Sequence, residues 1–233
     1  MATATAKATK ETSFLSITIP EIEKKKMSLT LIGDSSLIEH RWSEKAKKEI
    51  LDKQMKKSVK AKEAKSPVGD FMDSLYWLTD EPDHTQVESE EEKMKLFNEA
   101  VKNGAKFGFP CVALKQSAID AAYQQGLVDK KTTLRGAFFI AGEDDNPEMM
   151  TIHGIPTMRE DMVVIGGMSR TADIRYRGEF QTWSTTVNIT YNPRVISAEQ
   201  IAAFIDNAGF ASGLGEWRVS KNGQFGSFHV KRS

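Results

Sequence analysis

Apolar and polar residues alternate in several short stretches of this chain, the pattern of a half-buried β-strand. The first such stretch covers residues 14–19 and ends at Pro20, and a second apolar run at 27–33 continues it or pairs with it. Further strands are predicted, in chain order, at residues 134–141, 151–153, 161–165, 173–177, 183–191 and 225–230. In the longest of these, Trp183 and Tyr191 fall on one face, where they either pack under helices or stack on a ligand.

Helices are predicted where apolar residues recur with a spacing of three to four. Serine N-caps favour helices that begin after Ser43, Ser89 and Ser197, and Pro110 precedes a fourth. The predicted helices span 43–65, 90–101, 111–125 and 197–207, and Ser66-Pro67 is taken as the stop of the first. The helices at 111–125 and 197–207 carry apolar stripes typical of core helices, whereas the first has few apolar positions and is expected to project or to lie on a partner.

The order of these elements is strand, helix, two or more strands, helix, strand. This order predicts an α+β protein with a ferredoxin-like, RRM-like βαββαβ core and a helical, charged insertion after the first strand. We expect a disordered N-terminus (1–12), a core made of 13–33 and 104–233, and an insertion at 34–103. Many unrelated functions use this fold, so topology alone does not select one.

Composition excludes several classes of protein. Its 233 residues are 39% hydrophobic and 27% charged, with a formal net charge of +0. The single cysteine, Cys111, rules out an internal disulfide and a cysteine-based zinc cluster. No apolar run is long enough to cross a bilayer and no signal peptide is visible, so we expect no membrane association and a cytoplasmic location, that of a bacterial host if a phage encodes the protein.

Charge is distributed unevenly along the insertion. Residues 42–65 contain nine lysines and four acids, whereas the linker at 79–99 contains eight acids and two lysines. The basic helix offers a polyanion an arm whose candidate contacts are Lys47, Lys48, Lys56, Lys57 and Lys60. A solvated helix face explains the same lysines, and so does a head-to-tail homo-oligomer in which the acidic block of one copy meets the basic block of the next.

Four glycines stand within 14 residues just before the last predicted strand, and Trp217, Arg218 and Lys221 lie between them. Glycines allow backbone N–H groups to approach a phosphate chain, and the two cations neutralise it. The alternative is a hairpin turn with an incidental arginine. The segment precedes a strand instead of following one, so it is not a dinucleotide-binding fingerprint.

The segment GLGEWR…GQFGSFHV at 213–230 resembles the C-terminal glycine-rich loop of the RAMP superfamily, the RRM-like proteins of CRISPR systems. Residues 110–118 (PCVALKQSA) are similar to the motif that opens the first helix of that family, with Lys115 at the position of its lysine. The resemblance is strongest to backbone subunits and implies single-stranded RNA laid across an RRM-like core. The stretch from Asp173 onward also resembles proteins encoded by tailed phages and prophages.

The resulting hypothesis is a non-enzymatic protein that binds single-stranded RNA, or DNA, and assembles side by side along it. Its predicted contacts are Lys115, Arg170, Arg175, Arg177, Gly213, Gly215, Trp217, Arg218, Lys221, Gly223 and Gly226. No catalytic residue, metal site or cofactor is expected. Two alternatives stay open: a phage structural or assembly protein without a nucleic-acid ligand, and a RAMP-type endoribonuclease that pairs His40 or His153 with Lys115.

Overall fold

The computed structural model describes residues 17–57, 64–165 and 170–232. In chain order its elements are β1 (Lys25–Gly33), β2 (Leu37–Glu39), α1 (Glu44–Gln54), α2 (Pro67–Asp73), α3 (Glu90–Lys102), β3 (Phe107–Pro110), α4 (Cys111–Gln124), α5 (Lys131–Arg135), β4 (Phe138–Gly142), β5 (Met149–Ile152), β6 (Thr157–Ile165), β7 (Thr171–Phe180), β8 (Ser184–Tyr191), α6 (Ala198–Ala211) and β9 (Phe228–Val230). Elements that are distant in sequence pair with one another throughout this arrangement.

The core is a four-stranded antiparallel sheet in the order β4-β8-β1-β9. Along the chain these strands and their helices follow as β1-α4-β4-β8-α6-β9, which is the ferredoxin-like order. Alternate residues of β8, among them Val187 and Ile189, are fully buried, in one apolar cluster with Leu114 of α4 and Ile201 of α6. The predicted α+β class and ferredoxin-like core are therefore confirmed.

Two insertions build a second layer onto this core. β2 follows β1, and the β6–β7 hairpin lies between β4 and β8; together they form the three-stranded sheet β2-β7-β6. β3 pairs with β5. Helices α2 and α3 pack through an edge-to-face contact of Phe71 and Phe97, whose ring centroids are 4.9 Å apart. Within the described part of the chain, no helix is long and apolar enough to cross a membrane.

The predicted first strand is misplaced. Residues 17–19 lie outside any strand, and residues 14–16 fall outside the described residues. The first core strand is instead β1, which finds β8 on one side and β9 on the other. A strand needs a neighbour for its backbone hydrogen bonds, and within the described residues the run at 27–33 has one whereas residues 17–19 do not.

The predicted basic helix is also shorter than the sequence suggests. Ser43 caps α1 as predicted, because its Oγ accepts a hydrogen bond from the Ala46 amide, but the helix ends at Gln54. Residues 58–63, which include Lys60, lie outside the described residues. Pro67 does not simply stop this helix: it is the first residue of α2, with Ser66 as the N-cap. Proline fits there because the first helical N–H has no partner within the helix.

Two further boundaries differ. The predicted strand at 134–141 begins with the last turn of α5, so that β4 starts only at Phe138. The last strand, β9, starts at Phe228 instead of residue 225. The residues before it belong to the glycine-rich segment, which makes its own tertiary contacts.

Candidate nucleic-acid interface

The glycine-rich segment, residues 213–226, is attached to the body of its own chain. Ser117 of α4 donates a hydrogen bond from Oγ to the Gly213 carbonyl at 3.1 Å. The amide of Glu216 donates to the carbonyl of Ile38 at 2.9 Å. These bonds hold the segment in place between α4 and β2.

The glycines of this segment are required by close backbone packing. At Gly226, φ is +70° and a Cβ would lie 1.8 Å from the Leu214 carbonyl oxygen; at Gly223 a Cβ would lie 1.6 Å from the Trp217 oxygen. Gly213 and Gly215 also have positive φ and backbone oxygens nearby. The amides of Gly213, Gly223 and Gly226 donate to Ala208, Arg218 and Ser36 of the same chain. These three amides therefore bond within the chain and are not the phosphate contacts that the sequence predicts, whereas the contact predicted for Gly215 stays a prediction.

Trp217 stands out within the segment. Its backbone adopts φ +52°, an unusual conformation for a bulky residue, and its side chain is 43% exposed. The Phe225 amide donates to the Trp217 carbonyl at 3.1 Å and holds this conformation. Arg218 follows, and its guanidinium donates to the Gly215 carbonyl at 3.0 Å and to Ser220 Oγ at 3.1 Å. An exposed ring thus stands beside an oriented cation, with Lys221 exposed in the next turn.

A cavity of about 210 Å³, here called the loop cleft, opens between the glycine-rich segment, α4 and β2. Ligand pockets usually span about 300–1,000 Å³, so this one fits a single base or sugar–phosphate unit rather than a whole ligand. Its lining is mixed in polarity and consists of Ile38, His40, Tyr76, Phe109, Ala113, Gln116, Ser117, Asp120, Ser212, Gly213, Leu214, Gly215, Glu216, Arg218 and Ser220.

His40 lies in the loop cleft and is held by a buried arginine. Arg177 is 2% exposed and donates from Nε to His40 Nδ1 at 3.0 Å and from Nη1 to Asp161 at 3.1 Å. Burial and then the positive charge of Arg177 lower the pKa of His40 below its ordinary value. Arg177 is therefore a structural residue that positions His40, and not the exposed phosphate contact that the sequence predicts.

A second depression, the strand cleft, has a volume of about 450 Å³ and lies between α1 and β7. His40 lines both cavities, so the two clefts adjoin at this residue. The strand cleft contains Arg175 and the 63% exposed Trp42. It also holds carboxylates, of which Asp173 is paired with Lys65. Arg175 is half-buried. Hydrogen bonding to Lys65 is the main cause that lowers the pKa of Asp173, and the nearby positive charge of Arg175 contributes.

Lys115 lies away from both clefts. Its amino group donates to the Arg135 carbonyl at 2.7 Å and stands 4.3 Å from the ring centroid of Phe139. Burial lowers the pKa of Lys115. The structure therefore brings Arg175 and Arg218 to the joined clefts but places Lys115 at the β4 edge of the core sheet, because residues 113, 116, 117 and 120 are the ones that α4 turns toward the glycine-rich segment. Arg170 is exposed immediately before β7.

The exposure of the aromatic residues of the core sheet shows which of them pack in the core and which face the solvent. Trp183 is 4% exposed and Tyr191 is 8% exposed, so packing under the helices, and not stacking on a ligand, is their role. Phe139 of β4 is 59% exposed and was missed by the sequence analysis. The signal for it is the pair Phe138-Phe139, because consecutive strand residues point to opposite faces.

The basic arm is solvent-exposed where the structure describes it. Lys47 pairs with Glu44 at 2.5 Å and Lys57 with Asp52 at 2.9 Å, and Lys48 and Lys56 are exposed. These surface pairs are weak and can exchange for phosphate. The basic arm starts next to Trp42 and the strand cleft.

The remaining histidines have carboxylate partners. His153 contacts Glu143 at 3.1 Å and His229 contacts Asp34 at 2.7 Å. In the described residues the one group with the ligand types for a metal is Asp73, Glu81 and His84, whose ligand atoms lie within 4.8 Å of one another. His84 already contacts Asp73 at 3.2 Å, and Arg41 donates to Glu81 at 2.7 Å. These contacts explain the cluster without an ion.

Comparisons with known proteins add little to this geometry. No protein-family model matches the sequence, and no curated protein matches it. Solved structures with a related chain path include the crystal structure of Cmr6 from Pyrococcus furiosus, with 10% sequence identity and a TM-score of 0.35 over 91% of this chain and 100% of that chain. A likeness of this size carries no argument about function, so the functional proposal rests on the residues described above.

Proposed function

We propose that this protein binds single-stranded nucleic acid, RNA in preference to DNA, along the joined loop and strand clefts, and that it does not cleave it. The observation that carries the proposal is that each cleft contains an arginine close to an exposed tryptophan. Trp217 directly precedes Arg218, which lines the loop cleft, and Trp42 lies with Arg175 in the strand cleft. Both sets adjoin at His40.

These residue types match the needs of an unpaired strand. Its bases offer flat faces that stack on aromatic rings, and its phosphates need cations at intervals along the track. Base stacking is tolerant of sequence, so we expect little base preference. The preference for RNA rests on the resemblance of residues 110–118 and 213–230 to RAMP proteins, as does the expectation that several copies bind side by side on one strand.

The state of His40 supports a binding role rather than a catalytic one. A general base needs a nitrogen lone pair that is free to take a proton. Nδ1 of His40 already accepts a hydrogen bond from Arg177, and the lowered pKa keeps the ring neutral. The ring proton therefore sits on Nε2, where it can donate to a phosphate or a base but cannot accept a proton.

Fluorescence anisotropy with a labelled oligouridine about 20 nucleotides long tests the proposal, because one domain typically covers fewer nucleotides than that. Trp217→Ala is expected to weaken binding at least about fivefold, in line with the loss of one stacked base. Phe139→Ala is the matched control, since it removes an exposed ring outside both clefts. Likewise Arg218→Ala should weaken binding and lower its salt dependence, whereas Lys115→Ala should do neither.

The same preparation separates the alternatives. Equal affinity of the wild type, Trp217→Ala and Arg218→Ala rejects the joined clefts as the binding site. Absence of any binding to RNA or DNA, with nucleic-acid-free protein on purification, favours an assembly protein on this scaffold. Cleavage of the oligonucleotide that His40→Asn abolishes would establish the endoribonuclease and reject the non-enzymatic proposal.

A further inference from the structure

Residues 17–24, directly before β1 and here called the arm, lie outside any helix or strand. Residues 17–24 are exposed and make no backbone hydrogen bond with the described residues. Within the arm Ile17 is 80% exposed, Ile19 84% and Ile22 68%. Exposed isoleucines at this density are unusual in a segment with a strand-like alternation.

The arm also has the residue pattern of a β-strand. Ile17 and Ile19 are two residues apart and therefore share one face of an extended chain. Residues 14–19 have the sequence pattern of a strand, yet no strand of the described residues lies beside residues 17–19. Such a conflict between local pattern and local surroundings is resolved if the neighbouring strand belongs to another molecule.

A complementary surface lies on the β6–β7 hairpin. β6 is nine residues long and pairs with β7 along one side. Its outer side makes no backbone hydrogen bond within the described residues. Met162 is 78% exposed and Val164 66%, again two residues apart on one face, with Ile174 41% exposed across from Met162 on β7. The second half of β6 is therefore an open, apolar edge, and an unpaired strand edge is a template for an added strand.

The arm and the hairpin are attached to opposite ends of the core sheet. The arm joins β1 at Lys25, which lies opposite Tyr191, the last residue of β8. The hairpin joins the core just before Ser184, the first residue of β8, opposite Ile32 near the end of β1. These two ends of β1 are about 24 Å apart. A donor at one end and an acceptor at the other end suit contacts between successive copies in a row.

We infer that the arm of one copy adds as a strand to the outer edge of β6 in the next copy, with Ile17 and Ile19 packed on Met162 and Val164. The main chain supplies the hydrogen bonds of an added strand, and the alternating side chains fix its register. Pro20 ends the added strand, which is where an edge strand tolerates proline. The contact is heterologous, so it propagates into a filament or closes into a ring.

This contact does not need nucleic acid, so it is tested without any, by sedimentation velocity over a range of protein concentrations. The arm variant is Ile17→Lys with Ile19→Lys, and the edge variant is Met162→Lys with Val164→Lys. Both change exposed side chains, so circular dichroism and the melting temperature should stay those of the wild type. Thr18→Lys is the matched control, because it adds a lysine to the arm on the opposite face.

The wild type and Thr18→Lys are expected to self-associate increasingly with concentration, and each double variant to do so at least about tenfold more weakly. A mixture of the two double variants is the decisive sample. The arm variant keeps an intact edge and the edge variant an intact arm, so the mixture should form one-to-one dimers and nothing larger. Wild type that stays monomeric at its highest soluble concentration, double variants that still assemble, or a mixture without dimers would each overturn the inference.

Failure here is distinguishable from failure of the proposed function. Both double variants alter residues outside the joined clefts, so as monomers they should bind a short oligonucleotide with the wild-type affinity of a single copy. Loss of assembly with retained binding supports both proposals. Assembly that persists in both double variants, with retained binding, overturns the strand-addition contact alone.

Discussion

Arg177 donates a hydrogen bond from Nε to Nδ1 of His40 over 3.0 Å, across 137 positions of sequence. The guanidinium also pairs with Asp161 at 3.1 Å, so its buried charge is compensated. Because Nδ1 of His40 accepts, the imidazole is neutral and its remaining proton points from Nε2. The contact joins β7 to the residue that directly follows β2, and this residue lines both clefts.

The lowered pKa of His40 predicts a specific pH dependence of stability. Below about pH 6.5 the unfolded chain takes up a proton at this histidine, whereas the folded chain takes it up only at lower pH. The free energy of unfolding should therefore fall as pH falls through this window. His40→Asn keeps an acceptor for Arg177 but cannot titrate, so the wild type should lose stability relative to this variant between about pH 7.5 and about pH 5.5.

Urea unfolding of both proteins at several pH values measures this difference. Other titrating groups, such as His84 with its pKa raised by the hydrogen bond to Asp73, are common to both proteins and cancel in the comparison. A difference in unfolding free energy that does not change with pH would show that His40 has the same pKa in the folded and unfolded chains.

Trp217 is expected to lower the stability of the folded chain while its ring strengthens oligonucleotide binding. Its φ of +52° costs a residue with a side chain about 1–2 kcal/mol, and glycine avoids this cost. Trp217→Ala and Trp217→Gly lose the same ring, so both should bind the oligonucleotide at least about fivefold more weakly. Thermal and urea unfolding should nevertheless find Trp217→Gly more stable than Trp217→Ala by about 1 kcal/mol. Equal stabilities would mean that the backbone at this position is unstrained.

The core of the fold could be predicted from local signals, and the errors arose where a distant segment decides the structure. Serine caps and apolar stripes located α1, α3, α4 and α6 because these signals lie within each helix. The sequence pattern predicts a strand at residues 17–19, but these residues have no partner strand in the part of the chain that the structure describes. The sequence predicts that Pro67 ends a helix, but Pro67 begins a new one. Ser66 and the Glu90 carboxylate accept hydrogen bonds from the amides of its first turn, and Glu90 lies 23 positions further along the chain.

The candidate site was predicted in part for the same reason. Arg175 and Arg177 do share a face of β7, as alternation requires, but Arg175 is half-buried and Arg177 is buried. Arg177 donates hydrogen bonds to both His40 and Asp161, which come from distant parts of the chain. Lys115 and Gln116 are neighbours in sequence, and only the docking of α4 decides that Gln116 lines the loop cleft while Lys115 contacts Phe139. Residue types in a sequence identify candidate cations but not the side of the molecule on which a helix places them.

Glu90 is expected to stabilise the junction of α2 and α3. Its carboxylate accepts hydrogen bonds from Ser66 Oγ at 2.7 Å, the Val68 amide at 2.7 Å and Lys93 Nζ at 2.9 Å. Burial by itself raises the pKa of Glu90, but these bonds outweigh it and the pKa is lowered. The stabilisation is therefore present above the pKa of the unfolded chain and is lost as pH falls through the lower pKa of the folded chain.

Glu90→Gln should lower the free energy of unfolding at neutral pH by about 1–3 kcal/mol, because it removes a charged acceptor and leaves the buried Lys93 ammonium without its carboxylate. Glu91→Gln is the matched control, since it removes the same charge from the same turn at an exposed position. Urea unfolding near neutral pH and near pH 4 measures both. If the two variants were equally stable, the bonds of Glu90 would contribute nothing beyond the helix dipole.

Gly226→Ala and Gly104→Ala distinguish a glycine that only its positive φ requires from a glycine that close backbone packing requires as well. Gly226 has φ +70° and a Cβ there would meet the Leu214 oxygen at 1.8 Å, whereas Gly104 has φ +87° and open space around it. We expect a loss of about 1 kcal/mol for Gly104→Ala and more than about 3 kcal/mol for Gly226→Ala, because only the latter forces the backbone to move. Melting temperature and urea unfolding report both. A mild effect of Gly226→Ala on stability, together with a loss of oligonucleotide binding, would instead return this glycine to the role of a phosphate contact.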